Sequence, residues 1–362
     1  MGALTTADFR FGARPWELSP VASISPHGPE GENITMSTRR EAKQGGKVVI
    51  KRIMPRQNEA VNEIWISDRT RFAYHFAEAA DRLTTPLIRK NGQLTPASWD
   101  EALALVADKL KGAGSAVAGV AGDRPSNEDL FAFQELIRKG LKSNNIDLAN
   151  PRVAGGDVTA QVGLASGSDI QKLGRGDAIL VVASDLHEEA PIWWLRVKQA
   201  AERGAKLVVL NVRQTRLDKF ASHAIHYAPS QALDTVRHLL AAAKVVQVGE
   251  RNAIAQAAET LVNATNLVAY YGAEGLSYAE SDALARLLSH LLLIKTENGQ
   301  NHVGRPNNGL VAVWPHNNTQ GAWDMGINPA FGPACNRLKR RDWAHLRFMR
   351  GRKMAPSKRY TC

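Results

Sequence analysis

His187, Glu188 and Glu189 stand side by side just after an apolar run at residues 178–183. An imidazole and two carboxylates at the carboxyl end of a strand suit acid–base chemistry. The same carboxylates, placed just before Pro191, also suit the positive end of a helix dipole, and the local pattern favours that second reading. His223 and His226 are three apart near a short strand, so they point to opposite faces and do not form a metal pair. Trp193-Trp194 reads as core and interface rather than as a cofactor stack. Asn307-Asn308 and Asn317-Asn318 flank Trp314-Pro315-His316 in a stretch read as loop, where such amides bind ligands or simply form turns.

The phosphate-binding signatures are absent from the sequence. No G-x-G-x-x-G follows a strand, and no Walker loop, H-E-x-x-H helix or G-x-S-x-G elbow occurs. The turn after residues 178–183 has no glycine before Gly204, so that route gives a pyrophosphate no close backbone approach. The pairs Gly119/Gly122 and Gly272/Gly275 read as turns, and Gly155-Gly156 reads as a bend. Cys335 and Cys362 are the only cysteines, too few for a disulfide framework or a four-thiolate metal site. A reducing setting follows.

The elements that must position these residues form a strand–helix–strand unit at residues 176–213. Residues 178–183 are unbroken apolar, as in a strand buried on both faces. Pro191 takes a first helical position, Trp194, Val197 and Ala201 recur at helical spacing, and Gly204 ends the helix. Residues 206–212 supply the second strand, parallel to the first through a right-handed crossover. Ser98/Glu101, Ser126/Asp129 and Ser277/Glu280 carry capping-box spacing and mark further helix starts. Short strands are expected at 115–121, 223–227 and 266–271, and helices at 102–110, 232–243, 252–263 and 281–294. This alternation predicts an α/β fold with a doubly wound, mostly parallel sheet. Residues 33–38 and 47–54 have strand character around Gly45-Gly46 and predict a small β-rich N-terminal module, while 19–32 reads as loop.

The chain has 362 residues and a formal net charge of +11. Residues 333–362 hold ten Lys and Arg against one Asp, and the rest has 36 basic against 34 acidic residues. The basicity therefore belongs to one end and does not describe a nucleic-acid-binding body. No run is long and apolar enough to span a bilayer, and no secretory signal is expected.

Several stretches together resemble the large iron–sulfur (G-type) subunit of NADH:quinone oxidoreductase (respiratory complex I), within the molybdopterin oxidoreductase superfamily. GALTTADFRFGARPWEL is similar to the run after the last cysteine of that family's CPVGAL motif. RIMPRQNEAVNEIWISDRTRF, RLTTPLIRKNGQLTPASWDEA, the Asn144-Asn145-Ile146-Asp147 stretch and GRPNNGLVAVWPHNNTQGAWDMG follow in the family's order. The resemblance covers residues 2–332. It implies a molybdopterin-oxidoreductase-type fold divided as follows: 1–18, a remnant of the ferredoxin-like region; 19–66, a small module resembling the 4Fe-4S domain; 67–332, an incomplete α/β domain; and 333–362, an aberrant basic tail. The start then falls just after the ferredoxin-like domain's final ligand, within a longer reading frame.

The departures shape the functional expectation. Trp16, Ser19, Ser23 and Ser67 fall where some members hold a cluster with four cysteines, and they supply no thiolate. Ala154 falls at the molybdenum ligand position and Gly155 at the histidine after it; a methyl group does not ligate a metal. The strand-end residues Asn211-Val212-Arg213 and Ala190-Pro191 also depart from a pterin-contacting pattern. The resemblance thus implies a structural, non-redox part of the peripheral arm, on the cytoplasmic side of the cell membrane and partnered by other complex I subunits. No catalytic residue and no bound cofactor are expected, with iron–sulfur clusters only in a preceding region absent here. The competing readings are a formate-dehydrogenase-type molybdopterin oxidoreductase and a nucleic-acid-binding module acting through the tail.

Overall fold

A computed structural model describes residues 5–149, 152–245, 252–296 and 299–335. The basic stretch from 336 onward lies outside the described residues. In chain order the elements begin with β1 (Ser19–Ile24), β2 (Asn33–Glu41), β3 (Lys47–Pro55) and α1 (Asp68–Phe72). Next come β4 (Leu87–Lys90), β5 (Gln93–Pro96), α2 (Trp99–Ala113), β6 (Gly119–Ala121), α3 (Asn127–Glu135), β7 (Ile146–Leu148) and α4 (Gly156–Val162). The central run is β8 (Ala178–Val182), α5 (Leu186–Glu189), α6 (Pro191–Glu202), β9 (Lys206–Asn211) and β10 (His223–His226). α7 (Ala232–Lys244), α8 (Ala253–Val262), β11 (Leu267–Tyr271), α9 (Tyr278–Leu292), β12 (Gly309–Ala312) and α10 (Thr319–Asp324) complete the order.

These elements form two compact units, Met1–Arg82 with Arg152–Asn317, and Leu83–Pro151 with Asn318–Cys362. In the first, β1, β2 and β3 make an antiparallel sheet around Ile34, Ile53, Ile66 and Tyr74. The same unit holds a five-stranded sheet of order β10-β9-β8-β11-β12, parallel throughout. Every residue of β8 and β11 is buried, which explains why their sequences run apolar without alternation. From β8 the chain steps outward through β9 to β10, then returns to the other side of β8 as β11 and β12. The strand order therefore reverses between β8 and β11, the position where open α/β sheets bind ligands outside their carboxyl ends.

The second unit contains the β4–β5 hairpin, α2, the parallel pair β6–β7 joined through α3, and α10. Arg138 holds its 326–331 loop by donating to the carbonyls of Gly326, Asn328 and Phe331. Gly119 sits so close to Phe133 and Ile137 that a Cβ there would lie 2.9 Å from each.

The predicted α/β alternation and β-rich N-terminal module are observed, and the strand–helix–strand unit is parallel as expected. Four local readings change. Residues 19–24 form strand β1 despite their Ser and Pro content, because an edge strand needs only one pairing partner, here β2. Residues 309–312 form β12, buried beside β11, where loop was expected. The polar turn before Pro191 contains one helical turn, α5. Of the stretch 115–121, only β6 is strand, after a 3-10 turn at Gly114–Ala116. All three predicted N-cap serines accept from the backbone three residues on, but only Ser277 forms the full reciprocal box. Glu101 pairs with Lys90 instead.

Candidate functional site at the strand ends

The point where the strand order reverses is built from backbone first. Ala183, just past β8, adopts φ +50° and turns the chain out of the sheet. Gly272, just past β11, comes so near that a Cβ would stand 2.5 Å from the Ala183 carbonyl oxygen. Gly272 donates to the Val182 carbonyl (3.0 Å) and Glu274 to the Ala183 carbonyl (2.8 Å), so the two strand-end turns are laced together.

Charged side chains close the lacing. Arg213, after β9, donates to Asp185 at 2.9 Å and to Glu274. Fully buried Asn211 donates to Glu274 Oε2 at 2.9 Å. Ser184 donates to Glu189 Oε2 at 2.6 Å, and Arg152 approaches Glu189 Oε1 at 3.7 Å. Burial pushes the Glu189 carboxyl above its ordinary range, against the Ser184 hydrogen bond and the Arg152 charge. The Arg213 guanidinium is held more firmly protonated by its Glu274 bond. Three carboxylates thus converge where a dinucleotide or pterin phosphate would approach, and like charges there oppose an anionic ligand.

His187 and Glu188 turn away from this cluster. They bond to each other, and His187 Nε2 meets Arg216 at 2.9 Å. Glu188 is exposed and its carboxyl is lowered by the His187 bond. Both carboxylates stand in the first turn of α5; Glu188 bonds to His187, whereas half-buried Glu189 joins the strand-end cluster. Trp193 packs against Tyr270 and Trp194 against His187 and Phe220, in line with a core role. His223 bonds to Thr260 and His226 to Asp218, two separate neighbourhoods. Asn308, fully buried, accepts from the Leu267 amide and donates to Asn266 and the Pro306 carbonyl, fixing the edge of β11. Gly155 lies at φ +85° as the N-cap of α4.

Ala154 is 1% exposed. Its N–H donates to Ser281 Oγ at 2.8 Å and its carbonyl accepts from the Tyr271 hydroxyl at 2.7 Å. A Cβ on Gly155 would lie 2.4 Å from that of Ala285 and 2.8 Å from the Tyr271 oxygen. The position is a packed node between β11 and α9 that presents a methyl group and no donor atom. Replacing Tyr271 with Phe leaves the Ala154 carbonyl without this donor and is expected to cost about 1–2 kcal/mol in a urea titration; an unchanged midpoint would show the bond to be incidental.

The N-terminal positions fall on three segments. Trp16 is exposed; Ser19 and Ser23 lie on β1, paired opposite Thr38 and Ile34. Ser67 caps α1, and its amide donates to Glu32 Oε1 at 2.9 Å. Ser25, buried, bonds instead to Thr70 beside that cap (2.6 Å). Sequence reading passed over Asp185, Arg152 and Glu274 as site residues. A carboxylate three residues past each of two central strands, with Arg213 two past a third, was the available signal.

A parallel sheet reversing between β8 and β11 defines a doubly wound α/β protein of the kind that holds nucleotide-like cofactors at its strand ends. The chain belongs to the molybdopterin oxidoreductase family, whose model matches residues 82–341. The NADH-ubiquinone oxidoreductase NDSU1/NuoG-like 4Fe-4S domain matches residues 23–75. Its relatives include the G-type NADH-quinone oxidoreductase subunit of Rickettsia felis, 37% identical over 57% of this chain and 29% of the relative. The second G-type NADH-quinone oxidoreductase subunit of Rhizobium meliloti is 28% identical over 92% of this chain and 40% of its own length. The chain thus spans well under half the length of these relatives. The solved acetylene hydratase from Pelobacter acetylenicus shares the fold at TM-score 0.54 and 15% identity, over 75% of this chain and 43% of that one.

The domain match corrects one expectation. Iron–sulfur clusters were assigned only to a preceding region absent from the chain, but the 4Fe-4S domain lies within it, at residues 23–75. The module itself was expected at 19–66; its lack of cysteines is what led to the clusters being placed elsewhere, whereas the match rests on the whole segment. That segment contains no cysteine. Its side chains therefore do not fit an all-thiolate cluster. Ala154, with a methyl group for a side chain, likewise does not fit a molybdenum ligand.

Proposed function

We propose that this chain is the scaffold part of the large iron–sulfur subunit in the peripheral arm of an NADH:quinone oxidoreductase, with the α/β body acting structurally. The observation that carries this reading is the closed strand-end cluster, in which Asp185, Glu189 and Glu274 are engaged by Arg213, Arg152 and Ser184. A phosphate-bearing cofactor needs open amides and positive charge there, whereas this cluster offers carboxylates already tied to the chain's own groups. Ala154, at the position of a metal ligand, supports the same conclusion.

In this reading the module at 19–66 and the body at 67–332 present packing surfaces to other complex I subunits. The whole assembly passes electrons from NADH to quinone on the cytoplasmic side of the membrane. Among the described residues, no helix is long and apolar enough to cross a membrane, which suits a place in the peripheral arm. Positions Trp16, Ser19, Ser23 and Ser67 are offered as replaced ligand positions, and Ala154 as a replaced molybdenum ligand.

The test is purification of the tagged chain from cells expressing the complex I subunits, with subunit composition and molybdenum measured on the same sample. Co-purification with peripheral-arm subunits, and molybdenum far below one per chain, is the expected result. A free chain carrying one molybdenum per molecule would sink the proposal and favour the oxidoreductase reading.

A further inference from the structure

The five-stranded sheet and the N-terminal antiparallel module meet at α6, and two carboxylates from the module reach that helix. The loop between β1 and β2 is closed by the Ser25 amide donating to the Glu32 carbonyl (2.9 Å). From this loop Glu30, 8% exposed, places Oε1 on the Ile192 N–H (3.3 Å) in the first turn of α6. Pro191 precedes Ile192 and has no N–H. Gly28, at φ +69°, leaves no space for a side chain beside the Glu30 carboxylate. One turn along α6, buried Arg196 pairs with Glu63 and donates to the Glu59 carbonyl (2.8 Å).

The two contacts differ in kind. Glu63 meets a full positive charge, whereas Glu30 meets only peptide N–H groups, its own and that of Ile192, in an almost water-free setting. The charged groups around Glu30 are Glu32 on its own loop and Arg69 on α1; the backbone carbonyl of Glu189 lies near Gly28. Burial and the nearby Glu32 charge oppose ionisation, while Glu30's own amide, the Ile192 amide and Arg69 favour it too weakly to prevail.

We propose that Glu30 is a proton-controlled latch, seated on the first turn of α6 when neutral and loosening the N-terminal module from that helix when it ionises. Its carboxyl is raised to about 8 in the docked state, from an ordinary 4.5. A group raised on docking contributes fully below its undocked value, and that contribution is lost as pH climbs through the docked value. The latch is therefore tight in mild acid and weakens between the ordinary carboxylate range and about 8. Glu32 and Glu189 are shifted in the same direction by burial, so the contribution of Glu30 must be isolated by substitution.

The experiment is hydrogen–deuterium exchange on the full chain in mild acid and in mild alkali, with intrinsic exchange rates corrected, comparing wild type with Glu30→Gln. Gln keeps the carbonyl acceptor for Ile192 and removes the ionisation. In wild type, protection of the α6 first turn and of residues 25–32 is expected to fall by well over ~10-fold as pH rises. In Glu30→Gln that fall should shrink severalfold, while protection of β8 and β11 stays constant in both. Wild-type protection that does not change with pH overturns the latch. So does a Glu30→Gln protein that keeps the full wild-type slope. Should Glu30→Gln fold poorly, Glu32→Gln and Glu189→Gln are compared instead: most of the wild-type slope is expected to persist in both, and its loss in either overturns the latch. None of these readouts depends on the complex I assignment.

Discussion

Replacing Arg196 with Leu is expected to destabilise the chain by about 3 kcal/mol and to open the 57–65 segment to proteolysis. Arg196 has a side chain only 7% exposed, and its guanidinium serves both Glu63 and the Glu59 carbonyl. Removing one member of a buried pair leaves the other charge without its compensation, which costs about 3–5 kcal/mol when both are fully buried. Glu63 retains 28% exposure, which places the expected loss at the lower end. Adding Glu63→Leu to Arg196→Leu should recover part of the loss, since an apolar pair replaces a stranded carboxylate. Urea midpoints of the single and double variants, with cleavage mapped by mass spectrometry, provide the measurement. A loss below about 0.5 kcal/mol would assign the pair to the weak class of surface ion pairs.

The second large effect lies at the strand ends. Gly272→Val is expected to cost about 3 kcal/mol and to separate the turns after β8 and β11. Even a single Cβ at 272 would stand 2.5 Å from the Ala183 carbonyl and 2.9 Å from the Ser184 Cβ. The first neighbour is backbone, so relief requires the strand ends to part, breaking the Gly272–Val182 and Glu274–Ala183 hydrogen bonds. Overpacking of this kind costs about 1–3 kcal/mol, and the lost lacing places Val at the upper bound. Gly275→Ala, three residues on, is the control: it sits at φ +74°, with Val212 at 3.9 Å as its nearest neighbour. There the penalty is about 1 kcal/mol of backbone strain. Equal losses at the two positions would show that close approach at Gly272 is not the determining feature.

These effects separate what residue patterns disclose from what they conceal. The parallel unit from β8 to β9 was legible because both of its strands are buried on both faces, which forces a continuous apolar run. β12 was less legible. Its apolar residues 310–313 are as plain as those of β8, but the Asn and Pro residues on either side read as loop. Asn308 serves as a buried bracket to β11, and a buried amide and a turn amide look identical in sequence. β1 was hidden for a different reason: an edge strand tolerates Ser and Pro that a central one excludes.

The strand-end cluster shows the same division. Helix caps follow from spacing, so Ser98, Ser126 and Ser277 were found. Which of Glu188 and Glu189 would join the strand-end cluster was not decided by spacing, because α5 adds a helical turn that orients the two adjacent carboxylates differently. Likewise the module resembling the 4Fe-4S domain was legible over its whole segment, but its missing cysteines led to iron–sulfur binding being assigned only to a preceding region.

By itself, then, the sequence determined the α/β class, the family, the double burial of the central strands and the lack of thiolates in the N-terminal module. Each follows from residue type or local period. Tertiary structure alone decided that Asp185, Arg213 and Glu274 share one clasp, that Ala154 is a node between β11 and α9, and that Glu30 reaches α6. These contacts join residues tens to more than a hundred positions apart, and a linear pattern carries no distance information across such gaps. Only the order in which the strands pack brings them within hydrogen-bond range.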